Sequence, residues 1–115
     1  MTSFATTTSQ YLTPEYLRVL PEQYGSPVWV YDSAVIIERI KQLQVFDTVR
    51  FAQKACSNIH ILRLMKQQGV KVDSVSLGEI ERALVAGFQP GRENSEIVFT
   101  ADVIQVNTQG LNIGL

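Results

Sequence analysis

VRFAQKACSNIHILRLMKQQGVKVDSV, residues 49–75, sets the fold class. Val49-Arg50-Phe51-Ala52 is a short run with the composition of a strand. Ser57-Asn58 supplies a helix cap, and Ile59, Leu62 and Met65 then recur at helical spacing until Gly69 ends the pattern. Val70 to Val75 forms a second strand-like run. Downstream the alternation repeats: Ile80, Ala83, Leu84 and Gly87 fall at i, i+3, i+4 and i+7, Pro90 follows shortly, and Ile97-Val98-Phe99 is a third strand. The order βαβαβ with short connections requires parallel strands joined by right-handed crossovers.

Strand starts at 49, 70 and 97 fit the repeat of a (β/α)8 barrel, a fold of about 250 residues, of which about three units are present. The alternative is a small open sheet, which leaves both edge strands unpaired. After Ile104 the chain turns polar and glycine-punctuated, and no amphipathic helix begins where the alternation calls for one. That change favours part of a barrel over a small complete domain. Upstream, Thr13-Pro14-Glu15 opens a short helix punctuated by Pro21 and Gly25-Ser26-Pro27. Val28-Trp29-Val30-Tyr31 reads as a strand, and Asp32-Ser33 caps a helix carrying Ile36, Ile37, Ile40 and Leu43. The expected organisation is a flexible tail over 1–12, a lead-in helix, strand and helix over 13–47, a partial barrel over 48–104 and a divergent tail over 105–115.

The 115 residues are 45% hydrophobic and 18% charged with net charge −1, a globular balance without the basic face that a nucleic-acid partner requires. No apolar run approaches the roughly 18 residues of a membrane span. The Thr- and Ser-rich start lacks the basic and apolar regions of a secretory signal. A single cysteine, Cys56, excludes an internal disulfide and offers no metal cluster, which points to a reducing cytoplasm.

Side-chain alternation puts Arg50, Ala52 and Lys54 on one face of the first strand, with Lys54 at its carboxyl end. Barrel enzymes place their chemistry at that end. A lysine there, between the small Ala52 and Ala55, has room for a flat ring, and partial burial favours the neutral amine that attacks an aldehyde. On spacing alone the commoner alternative stands beside this one: a strand-end lysine reaching into solvent.

Five collinear blocks carry a resemblance. Tyr24-Gly-Ser-Pro-Val-Trp-Val-Tyr-Asp32 is similar to the opening of the diaminopimelate decarboxylases and their relatives in the alanine-racemase-like class that uses pyridoxal 5'-phosphate. Val49-Arg-Phe-Ala-Gln-Lys-Ala-Cys-Ser-Asn58 resembles the family's cofactor-lysine motif, Tyr-Ala-Val-Lys-Ala-Asn. Val72-Asp-Ser-Val-Ser-Leu-Gly-Glu79 resembles Asp-Val-Val-Ser-Gly-Gly-Glu, and Ala83-Leu-Val-Ala-Gly87 and Ile97-Val-Phe-Thr100 match the next helix and strand. The departures are Gln53 for the usual Val, Cys56-Ser57 before Asn58, and Leu77 for Gly. The resemblance runs from about Leu12 to Ile104. It implies that Lys54 holds pyridoxal phosphate covalently and that Asp73 lies near the cofactor. It also implies an amino-acid substrate, meso-2,6-diaminopimelate, decarboxylated to L-lysine, a homodimer, and a lead-in strand that belongs to a β-rich second domain.

Glu79 has a strong structural role open to it, because Ser76-Leu77-Gly78-Glu79 is a capping box. Cys56 and His60 lack a third partner and read as a small thiol and a surface histidine; Ser57 and Arg50 are minor candidates for a pocket wall. The resemblance further implies a later histidine against the cofactor ring, an acid for its nitrogen, a glycine-rich phosphate loop and a cysteine-bearing segment from a partner subunit. None of these motifs occurs in the chain, so the expectation is an anchor lysine without most of its site, inactive alone. The remaining alternative is a noncatalytic segment or a small pyridoxal-phosphate-binding protein.

Overall fold

A computed structural model of the chain describes residues 9–101. The start of the expected N-terminal tail and the divergent tail over 105–115 lie outside them. The chain divides into two compact units, Met1–Leu43 and Gln44–Leu115.

The first unit holds two helices. Helix α1, Pro14–Tyr24, begins where Thr13 accepts the Tyr16 N–H with its side chain, and Pro14 sits at a position whose N–H has no helical partner. Pro21 was expected to shorten this helix but lies inside it, and Gly25 donates back to the Pro21 carbonyl at 2.9 Å where the helix stops. Helix α2, Ser33–Lys41, is capped by Asp32, whose carboxylate accepts the Ala34 N–H at 2.8 Å and a hydrogen bond from the Ser9 hydroxyl. Between the helices, Val28–Tyr31 does not form the expected strand. Its β-rich composition favours a strand, but composition alone does not make one, because strand formation depends on tertiary context. Trp29 is 87% exposed there.

The second unit is the expected βαβαβ. Strand β1, Arg50–Ala52, passes into one turn of 3₁₀ helix over Gln53–Ala55. Helix α3, Ile59–Gln67, leads to strand β2, Lys71–Ser74. Helix α4, Leu77–Ala86, leads to strand β3, Ile97–Phe99. The three strands are parallel in the order β1-β2-β3, with register rows Phe51–Val72–Ile97 and Ala52–Asp73–Val98. Two crossovers of the same hand put α3 and α4 on one face of the sheet. Val72, Ser74 and Ile97 face them and are fully buried, with Leu62, Ile80, Ala83 and Phe88 completing that core. Arg50, Ala52, Lys71, Asp73 and Val98 occupy the other face, the one a closed barrel turns inward.

Both crossover helices close the same way. Gly69 and Gly87 adopt φ of +77° and +102°, which L side chains rarely tolerate. The next residues, Val70 and Phe88, donate to the Met65 and Ala83 carbonyls and bury their side chains. This glycine-terminated arrangement ends each helix sharply, and after α3 it returns the chain to the sheet at Lys71.

Candidate functional site

The carboxyl ends of β1 and β2 lie side by side, so the turns that follow them share one edge of the sheet. Lys54 was expected to continue the strand alternation. Instead β1 ends at Ala52, and the 3₁₀ turn displaces Lys54 from the strand while keeping its side chain exposed. Among the described residues its amine makes no hydrogen bond or ion pair. Asp73 lies in β2 directly beside Ala52, two residues before Lys54 in the chain. Its carboxylate accepts a 2.6 Å hydrogen bond from the Thr100 hydroxyl, at the end of β3. The two residues singled out in the sequence therefore occupy the same edge, on adjacent strands.

The turn bearing Lys54 is fixed from beneath by Gln53, which is completely buried. The Gln53 carboxamide donates to the Glu79 carbonyl at 2.6 Å and accepts from the Ser74 hydroxyl at 2.8 Å. Its own carbonyl accepts from Ser57 at 3.2 Å and from the Cys56 N–H at 3.1 Å. In the sequence Gln53 stands out only as a departure from the resembling motif. The signal that could have found it is an amide placed where a strand's buried face calls for an apolar residue.

The remaining candidates take structural roles. Ser76 accepts the Glu79 N–H at 3.2 Å, and the Glu79 carboxylate accepts the Val75 N–H at 2.7 Å, so Glu79 closes the expected capping box one residue upstream of its usual donor. Arg50 reaches the opposite edge of the sheet from Lys54. Its guanidinium donates to the Val72 and Ser95 carbonyls at 3.3 and 2.9 Å, tying the starts of the strands together. His60 is exposed in the first turn of α3 and Cys56 is half-buried; Asn58 caps α3 through the His60 and Ile61 N–H groups. A surface pocket of about 350 Å³ runs along β3, lined by Gly91, Arg92, Ser95, Ile97, Val98 and Phe99, and includes neither Lys54 nor Asp73. Among the described residues no helix is long and apolar enough to cross a membrane, and no group of three acids, histidines or cysteines is placed to hold a metal.

A primary amine presented at the carboxyl edge of a parallel sheet, with a carboxylate on the adjoining strand, suits an aldehyde cofactor better than a metal. Comparison with known proteins points the same way. The chain is 66% identical over 97 residues to the diaminopimelate decarboxylase of Escherichia coli K12, which covers 84% of this chain and 23% of the relative. It is 56% identical over 86 residues to the Streptomyces coelicolor diaminopimelate decarboxylase. A crystal structure of diaminopimelate decarboxylase superposes with a TM-score of 0.81 at 64% identity, covering 91% of this chain and 24% of that one. The chain thus spans about a quarter of the length of the relatives it matches. The family model for the pyridoxal-binding domain of pyridoxal-dependent decarboxylases matches residues 33–109, and the chain belongs to that family.

Proposed function

We propose that the chain carries the cofactor-lysine segment of a decarboxylase that converts meso-2,6-diaminopimelate to L-lysine, with Lys54 holding pyridoxal phosphate and Asp73 beside it. The observation that carries this reading is the position of Lys54, an exposed amine just past the carboxyl end of β1 on the edge it shares with Asp73. The identity to several diaminopimelate decarboxylases supports the choice of substrate.

Bound pyridoxal phosphate supplies an electron sink for the carbon that loses carbon dioxide. The chain's own residues have simpler tasks. Lys54 offers the amine that holds the cofactor and yields to the substrate's amine. Asp73, held by Thr100, offers a carboxylate on the strand beside the turn that carries Lys54. Gln53 and the cap of α4 keep the edge rigid. We assign the decarboxylation to a whole enzyme of the relatives' length, a cytoplasmic homodimer, rather than to these 115 residues alone.

The test is a chimera in which residues 10–101 replace the matching segment of the Escherichia coli enzyme. It is expected to release carbon dioxide from diaminopimelate and to lose that activity on Lys54→Ala. A folded, cofactor-loaded chimera with no activity overturns the proposed substrate. Retained covalent cofactor in the Lys54→Ala chimera overturns the role of Lys54.

A further inference from the structure

We infer that Gln53 is a positioning residue for Lys54: its buried carboxamide fixes the 3₁₀ turn that presents the lysine amine at the sheet edge. The inference rests on the reading of Lys54 as the cofactor lysine and extends it to a residue that touches neither cofactor nor substrate.

Gln53 places an amide at a fully buried position. An unpaired carboxamide there costs about 1–3 kcal/mol, so it persists only where partners are built for both ends. Here both ends are used, and the partners lie on different elements. Ser74 is the last residue of β2, and the Glu79 carbonyl belongs to the first turn of α4. Gln53 therefore clamps the end of β1 to the end of β2 and to the helix that follows it.

The clamp acts on Lys54 through direction. Gln53 points into the layer between sheet and helices, and Lys54, the next residue, is exposed. Two bonds on the Gln53 backbone carbonyl, from Ser57 and Cys56, hold the turn on its far side. With residue 53 anchored by its side chain and its carbonyl, the backbone of residue 54 has little freedom left. An aliphatic residue of similar size would fill the space but release β1 from Ser74 and α4. Lys54 would then sample several orientations, and a misplacement of about 1 Å at a reacting group costs up to about 10²-fold in rate.

The experiment uses the 115-residue chain with pyridoxal phosphate as the probe. Cofactor bound to amines is trapped by borohydride, and peptide mapping compares labelling of Lys54 with that of Lys41, Lys66 and Lys71 in the same sample. The unsubstituted chain is expected to label Lys54 several-fold faster than the other three. Equal labelling overturns the presentation of Lys54 by this turn, and with it the role of Gln53, while the Lys54→Ala chimera tests the reading of Lys54 separately. Given that preference, Gln53→Leu with Ser74→Ala, which leaves no unpaired hydroxyl, is expected to lower the Lys54 ratio about tenfold while the chain stays folded. An unchanged ratio in the folded double variant overturns the role of Gln53.

Gln53→Glu supplies a readout that a merely structural role would not move. A protonated glutamic acid keeps both an acceptor and a donor, whereas the carboxylate loses the donor to the Glu79 carbonyl. Burial raises the pKa of such an acid. The Lys54 ratio in this variant is expected to match the unsubstituted chain near pH 5 and to fall near pH 8; a ratio independent of pH overturns the inference. If the variants do not fold, the unsubstituted chain still decides. The Gln53 carboxamide protons are expected to exchange with solvent far more slowly than those of the exposed Gln67, and equal exchange rates overturn the clamp.

Discussion

Thr100 donates a 2.6 Å hydrogen bond from its hydroxyl to Asp73 Oδ1, while its backbone N–H donates to the Ser74 carbonyl at 3.0 Å. One residue thus extends the β2–β3 ladder and orients the carboxylate next to the Lys54 turn. The bond is solvent-exposed, so its net worth is small, about 0.5 kcal/mol. Thr100→Val is expected to lower stability by no more than that in urea unfolding. Thr100→Ser is expected to be neutral, because it keeps the hydroxyl. In the active chimera Thr100→Val is expected to slow turnover more than it raises KM. A large rise in KM with unchanged kcat would count against the role of Asp73.

Glu96 is the electrostatic joint of the second unit. Burial works to raise its pKa, but the Lys66 ammonium, bonded at 2.9 and 3.1 Å, the Gln89 N–H at 2.6 Å and the charge of Lys71 outweigh it. The net shift is downward. A carboxylate depressed in the folded state contributes stability in full above its unfolded value, about 4.3, and loses it as pH falls through the lower folded value. Glu96→Gln is therefore expected to cost about 1–2 kcal/mol near neutral pH. The gap between the two proteins should close below about pH 4, followed by thermal melting across that range. A constant gap would assign the loss to packing instead.

Gly87 tests backbone strain apart from steric fit. A Cβ added there would meet only the Lys66 side chain, at 3.7 Å, an ordinary contact. The left-handed φ of +102° remains. Gly87→Ala is expected to destabilise by about 1 kcal/mol through conformation alone. Gly78→Ala, in α4 with open space around it, is expected to stabilise by up to about 1 kcal/mol. Denaturant midpoints of the two variants should move in opposite directions.

The second unit was legible because its signals are local. Asn58 and Ser76 mark helix starts by side-chain chemistry, Gly69 and Gly87 mark ends by backbone freedom, and strand and helix periods differ between these points. Strand β1 was harder. Its alternation, read on to Lys54, passed over the 3₁₀ turn, whose cause is a tertiary bond set from Gln53 to Ser74 and Glu79. No window along the chain contains those partners. Val28–Tyr31 fails for the complementary reason: its composition favours a strand, but pairing depends on a neighbour that composition cannot name. Lys54 is marked out by resemblance; on spacing alone a solvent-reaching lysine is the commoner reading.

Leu62 and Leu84 separate what periodicity predicts from what packing delivers. Both fall on apolar stripes at helical spacing. Leu62 is 0% exposed between α3 and the sheet, whereas Leu84 is 36% exposed on α4. Removing a buried leucine side chain forfeits its transfer energy and leaves a cavity, about 2–5 kcal/mol in all. Removing a third-exposed one forfeits only part of the transfer term. Leu62→Ala is expected to abolish cooperative unfolding or shift its midpoint by most of the available stability. Leu84→Ala is expected to cost less than about 1 kcal/mol in this chain. The same substitution in the full-length chimera discriminates further. If Leu84 faces a neighbour there, its loss rises toward the Leu62 range, and if α4 presents it to solvent the cost stays small. Thermal melting of these three variants beside their two parents decides whether the apolar stripe of α4 is wider than the core it covers.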